Sequence, residues 1–521
     1  MNTLIPKAVK VAINRQVGCI IPTVIGYTCE DLTDECVKAF QARCGKPLSV
    51  GDWLTIRKNN ELPEESYRLL IEKDGVRLEA GTERGAGWGL TTLYHMMEES
   101  ETLPTGTVED YPRYAHRGLS LDCARHFFPV QEVEKIIEQI SLVKMNVLHW
   151  HLSDDQGWRI ESHRYPKLHE VSGSYYTQDE IREIVAYAKE RGVEIIPEID
   201  LPGHTLGILA AYPQYSCTGA PASMAKSSGI YRKILCAGKE ETLSFVENLL
   251  DEVCGLFPGK YFHIGGDEAP KLAWKECPHC RQRMKQLGIT DYEELQGDFT
   301  CRIARFLEQR GKQPVCWNDT LKSSLRPEHL TVQYWSVSYN KEMAKFCKEG
   351  GRWIYSDMFE LYLDYPYAMT PVKKIYECTP DFGSAEYPEN NPPAGMEACI
   401  WAEHIKNEEQ LERLLFPRIY ALAEIAWSGR DSYEEFARRL QANQLLLKKN
   451  GVCTMEQEGW DPEGQNRQQE AFQYMASLQE VGLPDSEEKA DHSPSTPEFG
   501  QKFMNRFFRQ EDIPILMQGL Q

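Results

Sequence analysis

From Arg117 to Glu403 the chain repeats one pattern, a short apolar run followed in most cases by a stretch of helical periodicity. That repetition constrains the fold more than anything else in the sequence. The apolar runs are RGLSLDCAR (117–125), NVLHWHLSDD (146–155), EIIPEID (194–200), YFHIGGDE (261–268), PVCWND (314–319), TVQYWS (331–336), WIYSDMF (353–359) and GMEACIWAE (395–403). Between them lie helix patterns such as VQEVEKIIEQISLVK and TQDEIREIVAYAKERG. The latter opens on a capping box, Thr177 with Glu180, and stops at Gly192. Eight such units in about 300 residues predict an α/β fold, a (β/α)8 TIM barrel.

The first 110 residues read differently. KVAIN is strand-like, SYRLLIEKDGVRLEA reads as a hairpin turning at Lys73 to Gly75, and GWGLTTLYHMMEE as an amphipathic helix. We therefore expect a small α+β domain over 1–110, a barrel over 111–430 and a C-terminal helical extension with a polar linker over 431–521. The Pro-containing stretch Leu103 to Arg113 is expected to link the first two. In the extension, SYEEFARRLQANQLLLKKNG reads as a helix, GLPDSEEKADHSPSTPEFG as a loop or linker, and FMNRFFRQEDIPILMQGL as a terminal element.

Composition narrows the partners. With 78 acidic against 58 basic residues the chain carries a formal charge of −20, and no local basic block offsets it, which excludes nucleic acid and anionic membranes as expected partners. There is no apolar run of membrane-spanning length, and the opening MNTLIPKAVKVAINRQVG has neither an uninterrupted apolar segment nor a small-residue cleavage site. The expectation is a cytoplasmic protein. Several of the 16 cysteines lie inside apolar runs, where a reduced thiol behaves as a small hydrophobe. Cys277 and Cys280 form a lone CxxC, read as a solvent-exposed helix start because no second Cys/His pair stands at finger spacing; no metal or other cofactor is expected.

Polar residues gather at the C-terminal ends of the strand-like runs: Arg125, Asp154, Asp155, Asp200, Asp267, Glu268, Asp319 and Glu403. In a β/α barrel that rim holds the active site. The densest signal is HIGGDEAP, where Asp267 and Glu268 follow two glycines that would let a ligand approach the backbone. Adjacent carboxylates repel, which raises the pKa of at least one. Strand parity puts Leu119, Leu121, Cys123 and Arg125 on one inward row, and Glu397, Cys399, Trp401 and Glu403 on another. Trp317, Trp335 and Trp401, beside an arginine and carboxylates, suit a sugar: hydroxyls to hydrogen-bond and C–H faces to stack. A metal-dependent barrel hydrolase built on His149, His151, His204 and His263 is the competing reading. Parity argues against it, because with Asp154, Leu148 and Trp150 inward, His149 and His151 face the helices. His204, in DLPGHT, is placed to tune a rim carboxylate.

LDCARHFFP, NVLHWHLSDDQGWRIE, GVEIIPEIDLPGHT, FHIGGDE and ACIWAE, in this order, resemble the β-N-acetylhexosaminidases of glycoside hydrolase family 20. The resemblance runs from about Arg117 to Gly429, and EAGTERGAGWGLTTLYHM resembles the small domain that precedes the barrel there. It implies an exo-acting enzyme that removes terminal GlcNAc or GalNAc from oligosaccharides by substrate-assisted retaining catalysis, in which the 2-acetamido oxygen closes on the anomeric carbon to an oxazolinium ion. Under that resemblance Glu268 is the acid and base, and Asp267 orients the acetamido N–H. Tyr362 hydrogen-bonds the acetamido oxygen with Asp364 as its partner two residues on. Trp317 and Trp335 wall the N-acetyl pocket, and Trp401 stacks on the sugar. Arg125 and Glu403 hold the non-reducing hydroxyls, and Asp154 with His204 forms a relay to Glu268.

Neighbouring activities stay open at this point, namely release of a disaccharide or of a 6-sulfated sugar, as does a sugar-binding protein without turnover. Past about Cys453 the chain lies outside the resemblance, and a cover over the pocket and a homodimer contact are both open to it.

Overall fold

A computed structural model describes residues 3–381, 390–480 and 506–507. The polar stretch 482–500 and most of 503–520 lie outside the described residues.

The barrel is present and closed. Its strands, named here in chain order, are β1 (His116–Asp122), β2 (Val147–His151), β3 (Glu194–Glu198), β4 (Tyr261–His263), β5 (Gln313–Trp317), β6 (Thr331–Tyr334), β7 (Arg352–Tyr355) and β8 (Gly395–Ile400). Each pairs in parallel with the next, and β8 returns to β1 through six consecutive partners from Gly395↔His116 to Ile400↔Leu121. All eight expected strands are there. Their C-terminal ends fall short of the apolar runs because the last residues of each leave the ladder and build the rim. Thr177 and Glu180 make the expected capping box on the helix Gln178–Glu190, and Gly192 follows it at φ +73°.

Strand parity holds on β8 and fails on β1 and β2. Glu397 points into the barrel, where it bonds His116 and His149. On β2, however, His149 and His151 also point inward, to Glu198 of β3 and to Glu397. Trp150 points outward against Tyr176 and Phe257. On β1, Gly118 faces Glu397 while Leu119, Leu121 and Cys123 belong to the core under the helices. Both strands are buried on both faces, so alternation carried no polarity to read. The register borrowed from Asp154 misled, since β2 ends at His151 and Ser153–Asp154 pairs instead with Gly157–Trp158.

The small domain is a seven-stranded sheet in the order Lys10–Ile20, Thr102–Asp110, Tyr67–Ile71, Val76–Ala80, Leu54–Lys58, Ile25–Glu30, Leu48–Val50. The expected hairpin pairs Tyr67 with Ala80 through Ile71 with Val76. The expected linker is different: Thr102–Asp110 is an interior strand, paired on both sides. Pro104 is tolerated because it sits opposite Gly18, where the partner's register is broken between Asn14 and Gly18. Helix Glu83–Glu99 covers the sheet, and Trp88 meets Trp427 of the barrel's last helix edge-on at 6.3 Å. Arg117 of β1 crosses to Glu65 at 2.5 Å, and Lys144 to Asp110 at 2.7 Å, both buried pairs that fix the small domain to the N-terminal side of the barrel.

Beyond the barrel, Tyr433–Lys449 is a helix as expected, and Gly464–Glu480 is another. No helix among the described residues is long and apolar enough to cross a membrane.

Candidate active site

The strand ends open on a cavity of about 890 Å³ whose lining includes Arg125, His204, Asp267, Glu268, Trp317, Trp335, Tyr362, Asp364, Trp401 and Glu403. Ten of the eleven residues given a role under the resemblance thus meet in one place. The eleventh, Asp154, is buried directly behind them.

Asp267 and Glu268 both reach the cavity because the backbone after β4 is not a strand. Gly265, Gly266 and Glu268 all adopt positive φ (+61°, +102° and +46°), so the chain coils at the mouth and successive side chains no longer alternate. The two glycines serve a different purpose from the one expected. A Cβ on Gly265 would lie 1.8 Å from Asp200 Oδ1, and one on Gly266 2.5 Å from Thr320 Cγ2. The space they leave is taken by neighbouring protein, with Asp200 Oδ1 accepting the Gly266 N–H at 3.1 Å.

Behind the pair stands His204, itself held at φ +51°. Its Nε2 lies 3.6 Å from both Asp267 Oδ2 and Glu268 Oε2, and its Nδ1 is 3.2 Å from Asp154 Oδ1 and 3.3 Å from Asp155 Oδ2. Burial opposes a charge on His204, but Asp154, Asp155 and Glu268 overcome it and hold the imidazolium well above its usual range. Burial likewise opposes ionisation of Asp154, and Arg125 and His204 more than reverse it. The result is a charged line Arg125–Asp154–His204 that ends on the Asp267–Glu268 pair. Within that pair the expected upward shift falls on Asp267: burial raises it first, then the nearby Asp200, with Asp319 and Glu268 adding to the effect. Among the described residues Asp267 Oδ1 is buried with no hydrogen-bond partner.

Asp122 places Arg125 by accepting its N–H at 3.1 Å and Nη1 at 3.3 Å. Arg125 Nη2 then reaches Asp154 Oδ2 at 2.7 Å and Glu403 Oε1 at 4.0 Å, while its guanidinium lies 5.1 Å from the Trp401 ring. Trp401 also meets Trp317 and Tyr362 at 5.9 Å each. Trp317 is locked by its indole N–H donating to Glu198 Oε1 at 2.8 Å. Trp335 is parallel to Tyr362, 14° between planes, with its indole N–H on Asp319 Oδ2 at 2.7 Å. Asp364 accepts the Trp401 N–H at 3.4 Å, and burial together with Glu403 pushes its carboxyl up to about 8.

Two residues of this site escaped the sequence reading, and two more were named in it without a role. Asp155 braces His204 and accepts the Leu206 N–H. Asp319 accepts the Glu268 N–H at 3.3 Å. Both stood in the rim count, yet nothing in the sequence gave them a role. Tyr339, whose hydroxyl meets Asp319, and Tyr474, from the helix Gly464–Glu480, also line the cavity. Neither lies on an expected strand end. The C-terminal extension therefore reaches the cavity edge.

The lone CxxC also needs correcting. Cys277 and Cys280 are buried, at 3% and 0% exposure, and Cys217 and Cys236 come to meet them from the long loop after β3. Intervals of 19 and 41 residues between the partners hid the cluster from a search for finger spacing.

A closed parallel barrel with a carboxylate pair, an arginine and a cage of aromatic rings at its rim defines a glycoside hydrolase of the barrel class. The chain belongs to glycosyl hydrolase family 20: residues 114–430 match its catalytic domain and residues 27–111 its domain 2. Relatives it matches within that family are named β-hexosaminidases. It is 33% identical over 433 residues to a β-hexosaminidase of Porphyromonas gingivalis, a match covering 75% of this chain and 54% of that protein. A crystal structure of a β-N-acetylhexosaminidase from Bacteroides fragilis superposes with a TM-score of 0.80 at 27% identity, over 88% of this chain and 99% of that one. The exo-β-N-acetylglucosaminidase of Vibrio harveyi in complex with N-acetylglucosamine superposes with 0.79 at 28% identity, over 88% and 78% of the two chains.

Proposed function

We propose that the chain removes a terminal non-reducing N-acetylhexosamine from oligosaccharides, with the substrate's own acetamido oxygen as nucleophile. The observation that carries this reading is the partnerless, buried Asp267 Oδ1 beside the Trp317, Trp335 and Tyr362 rings. An acetamido N–H supplies the donor that oxygen lacks, and the methyl suits the aromatic walls. Positive charge that develops as the oxazolinium forms favours the ionised Asp267, offsetting the burial that holds its proton in the empty pocket.

Glu268 protonates the leaving oxygen and then takes a proton from water, with the His204–Asp154 line adjusting its charge environment. Tyr362 steadies the acetamido oxygen. Arg125 and Glu403, 4.0 Å apart at the closed end, favour a single terminal sugar over a disaccharide. Asp364, protonated up to about pH 8, can donate as well as accept there. A cytoplasmic location accompanies this reading, supported by 16 cysteines of which none is paired in a disulfide; cell fractionation tests it.

The test is hydrolysis of paired aryl β-glycosides of GlcNAc, GalNAc and glucose, with a thiazoline analogue of the oxazolinium as inhibitor. Turnover of the N-acetyl sugars alone, blocked by the thiazoline, is expected and ranks the two sugars. Turnover of the glucoside at a comparable rate means that the acetamido group is not the nucleophile.

A further inference from the structure

Cys217, Cys236, Cys277 and Cys280 bring their four sulfurs within 4.8 Å of one another, and no other all-cysteine group occurs among the described residues. The closest separations are 3.6 Å for Cys236–Cys280, 3.7 Å for Cys236–Cys277 and 3.9 Å for Cys217–Cys280. A disulfide needs about 2.05 Å. A tetrahedron of thiolates at the usual Zn–S length of about 2.3 Å has edges of about 3.8 Å. We propose that these four cysteines bind one zinc ion as a closed structural site.

The surrounding chain is built for it. Cys277 is the N-cap residue of the helix Pro278–Leu287 and Cys280 lies in its first turn, where the backbone N–H groups favour thiolate over thiol. The Gly238 backbone N–H bonds the Cys236 sulfur. A Cβ on Gly238 would come within 2.3 Å of the Cys280 nitrogen, so only glycine lets the two loops close to this distance. Ser216 and Leu235 form an antiparallel bridge, the Cys236 N–H bonds Tyr215 O at 2.9 Å, and Trp274 caps the other side by donating to Leu235 O at 2.9 Å. Binding converts four thiols and Zn²⁺ to a tetrathiolate with release of four protons; no oxidant is involved, and no coordination position is left for substrate.

The site staples two loops that both reach the catalytic cavity. Ile230 and Arg232 line it from the segment that ends at Cys236, and Ala269 to Leu272 line it from the segment that runs into Cys277. Zinc thus ties the 218–234 excursion to the wall flanking Glu268, adding to hydrogen bonds such as Ala225 N–H to Asp155 O at 2.8 Å.

The test is elemental analysis of the full chain, purified without chelator and dialysed against metal-free buffer. About one zinc per chain is expected, falling below about 0.1 in a Cys236→Ser/Cys280→Ser variant. Should that variant fail to fold, the native enzyme still decides: mercurial titration should release about one zinc together with four protected thiols, and the zinc-free protein should become cleavable by protease between Cys217 and Cys236. A native enzyme that carries no zinc, carries iron in its place, or holds these cysteines as disulfides overturns the assignment. None of these readouts depends on which glycoside is hydrolysed, so failure here leaves the catalytic reading standing.

Discussion

The barrel's rim and its interior use the same residue types to opposite ends. Inside, Glu198 and Glu397 are fully buried, yet the histidines around them, His263, His151 and His149 for the first and His149 with His116 for the second, overcome burial and hold both carboxyls below their ordinary range. At the rim, Asp200 and Asp319 are buried and Asp267 and Asp364 partly so, and burial wins: Asp200 is pushed up to about 7 and Asp364 to about 8. The difference lies in the partners. Interior carboxylates face imidazoles, whereas rim carboxylates mainly face each other. Interior pairs are thus already neutralised and serve to hold the strands together. The rim keeps protons and unmet acceptors for a substrate to claim.

The sharpest way to break the comparison is at the rim. Glu268→Gln keeps the shape and removes the transferable proton, so kcat on glycosides with poor leaving groups should fall about 10²- to 10⁴-fold. The loss should shrink when the leaving group is a strongly acidic phenol, and the thermal midpoint should stay close to that of the native enzyme. Full activity on a poor leaving group would remove Glu268 from the role of acid.

Glu397→Gln is the interior counterpart. It leaves His149 and His116 without the carboxylate that sits 2.8 Å and 2.7 Å from their nitrogens. Breaking a buried pair from one side costs about 3–5 kcal/mol. Urea denaturation should register that loss while the folded fraction keeps most of its kcat. An unchanged midpoint would mean that the interior network is not charged.

The contrast was only half legible in the sequence. The rim acids could be read because each follows an apolar run, and the fold class because eight runs recur with helices between them. The interior network could not: on a strand buried on both faces, His149 and Trp150 are equally permissible inward residues, and only the finished register decides between them. On β8 the inward Glu397 and Cys399 share a face with Trp401, so parity there led to the right face. Distance in sequence hid the rest. Tyr474 reaches the cavity from a helix more than 200 residues after Glu268, and Cys217 meets Cys280 across a loop of no regular pattern.

Stability against pH should separate the two regions more gently. Burial disfavours a charged His149, but Glu198 and Glu397 raise its pKa to about 9. Its contribution is therefore complete below an unfolded value of about 6.5 and is lost as pH rises through 9. Glu397 is lowered, so its contribution is present above about 4.3 and disappears in acid. Asp364 is raised: the native state holds its proton up to about 8 while the unfolded chain releases it near 3.9, so stability falls across that interval. Asp364→Asn imitates the protonated form. Its thermal midpoint should gain on the native enzyme steadily from about pH 4 to 8 and then run parallel to it. A constant offset across the whole range would mean that Asp364 is ionised throughout.

The mildest change tests how far the rim extends. Tyr474 lines the cavity from the C-terminal extension and packs edge-on against Tyr365 at 5.9 Å, and is no part of the Asp267, Glu268 and His204 group. Tyr474→Phe keeps the ring and should change little. Tyr474→Ala removes a partly apolar wall, worth about 1–3 kcal/mol of contact at most, and so should raise KM several-fold on oligosaccharides with kcat nearly constant. A fall in kcat with unchanged KM would instead place the extension within the catalytic machinery, because an interaction made only in the transition state lowers kcat and kcat/KM together.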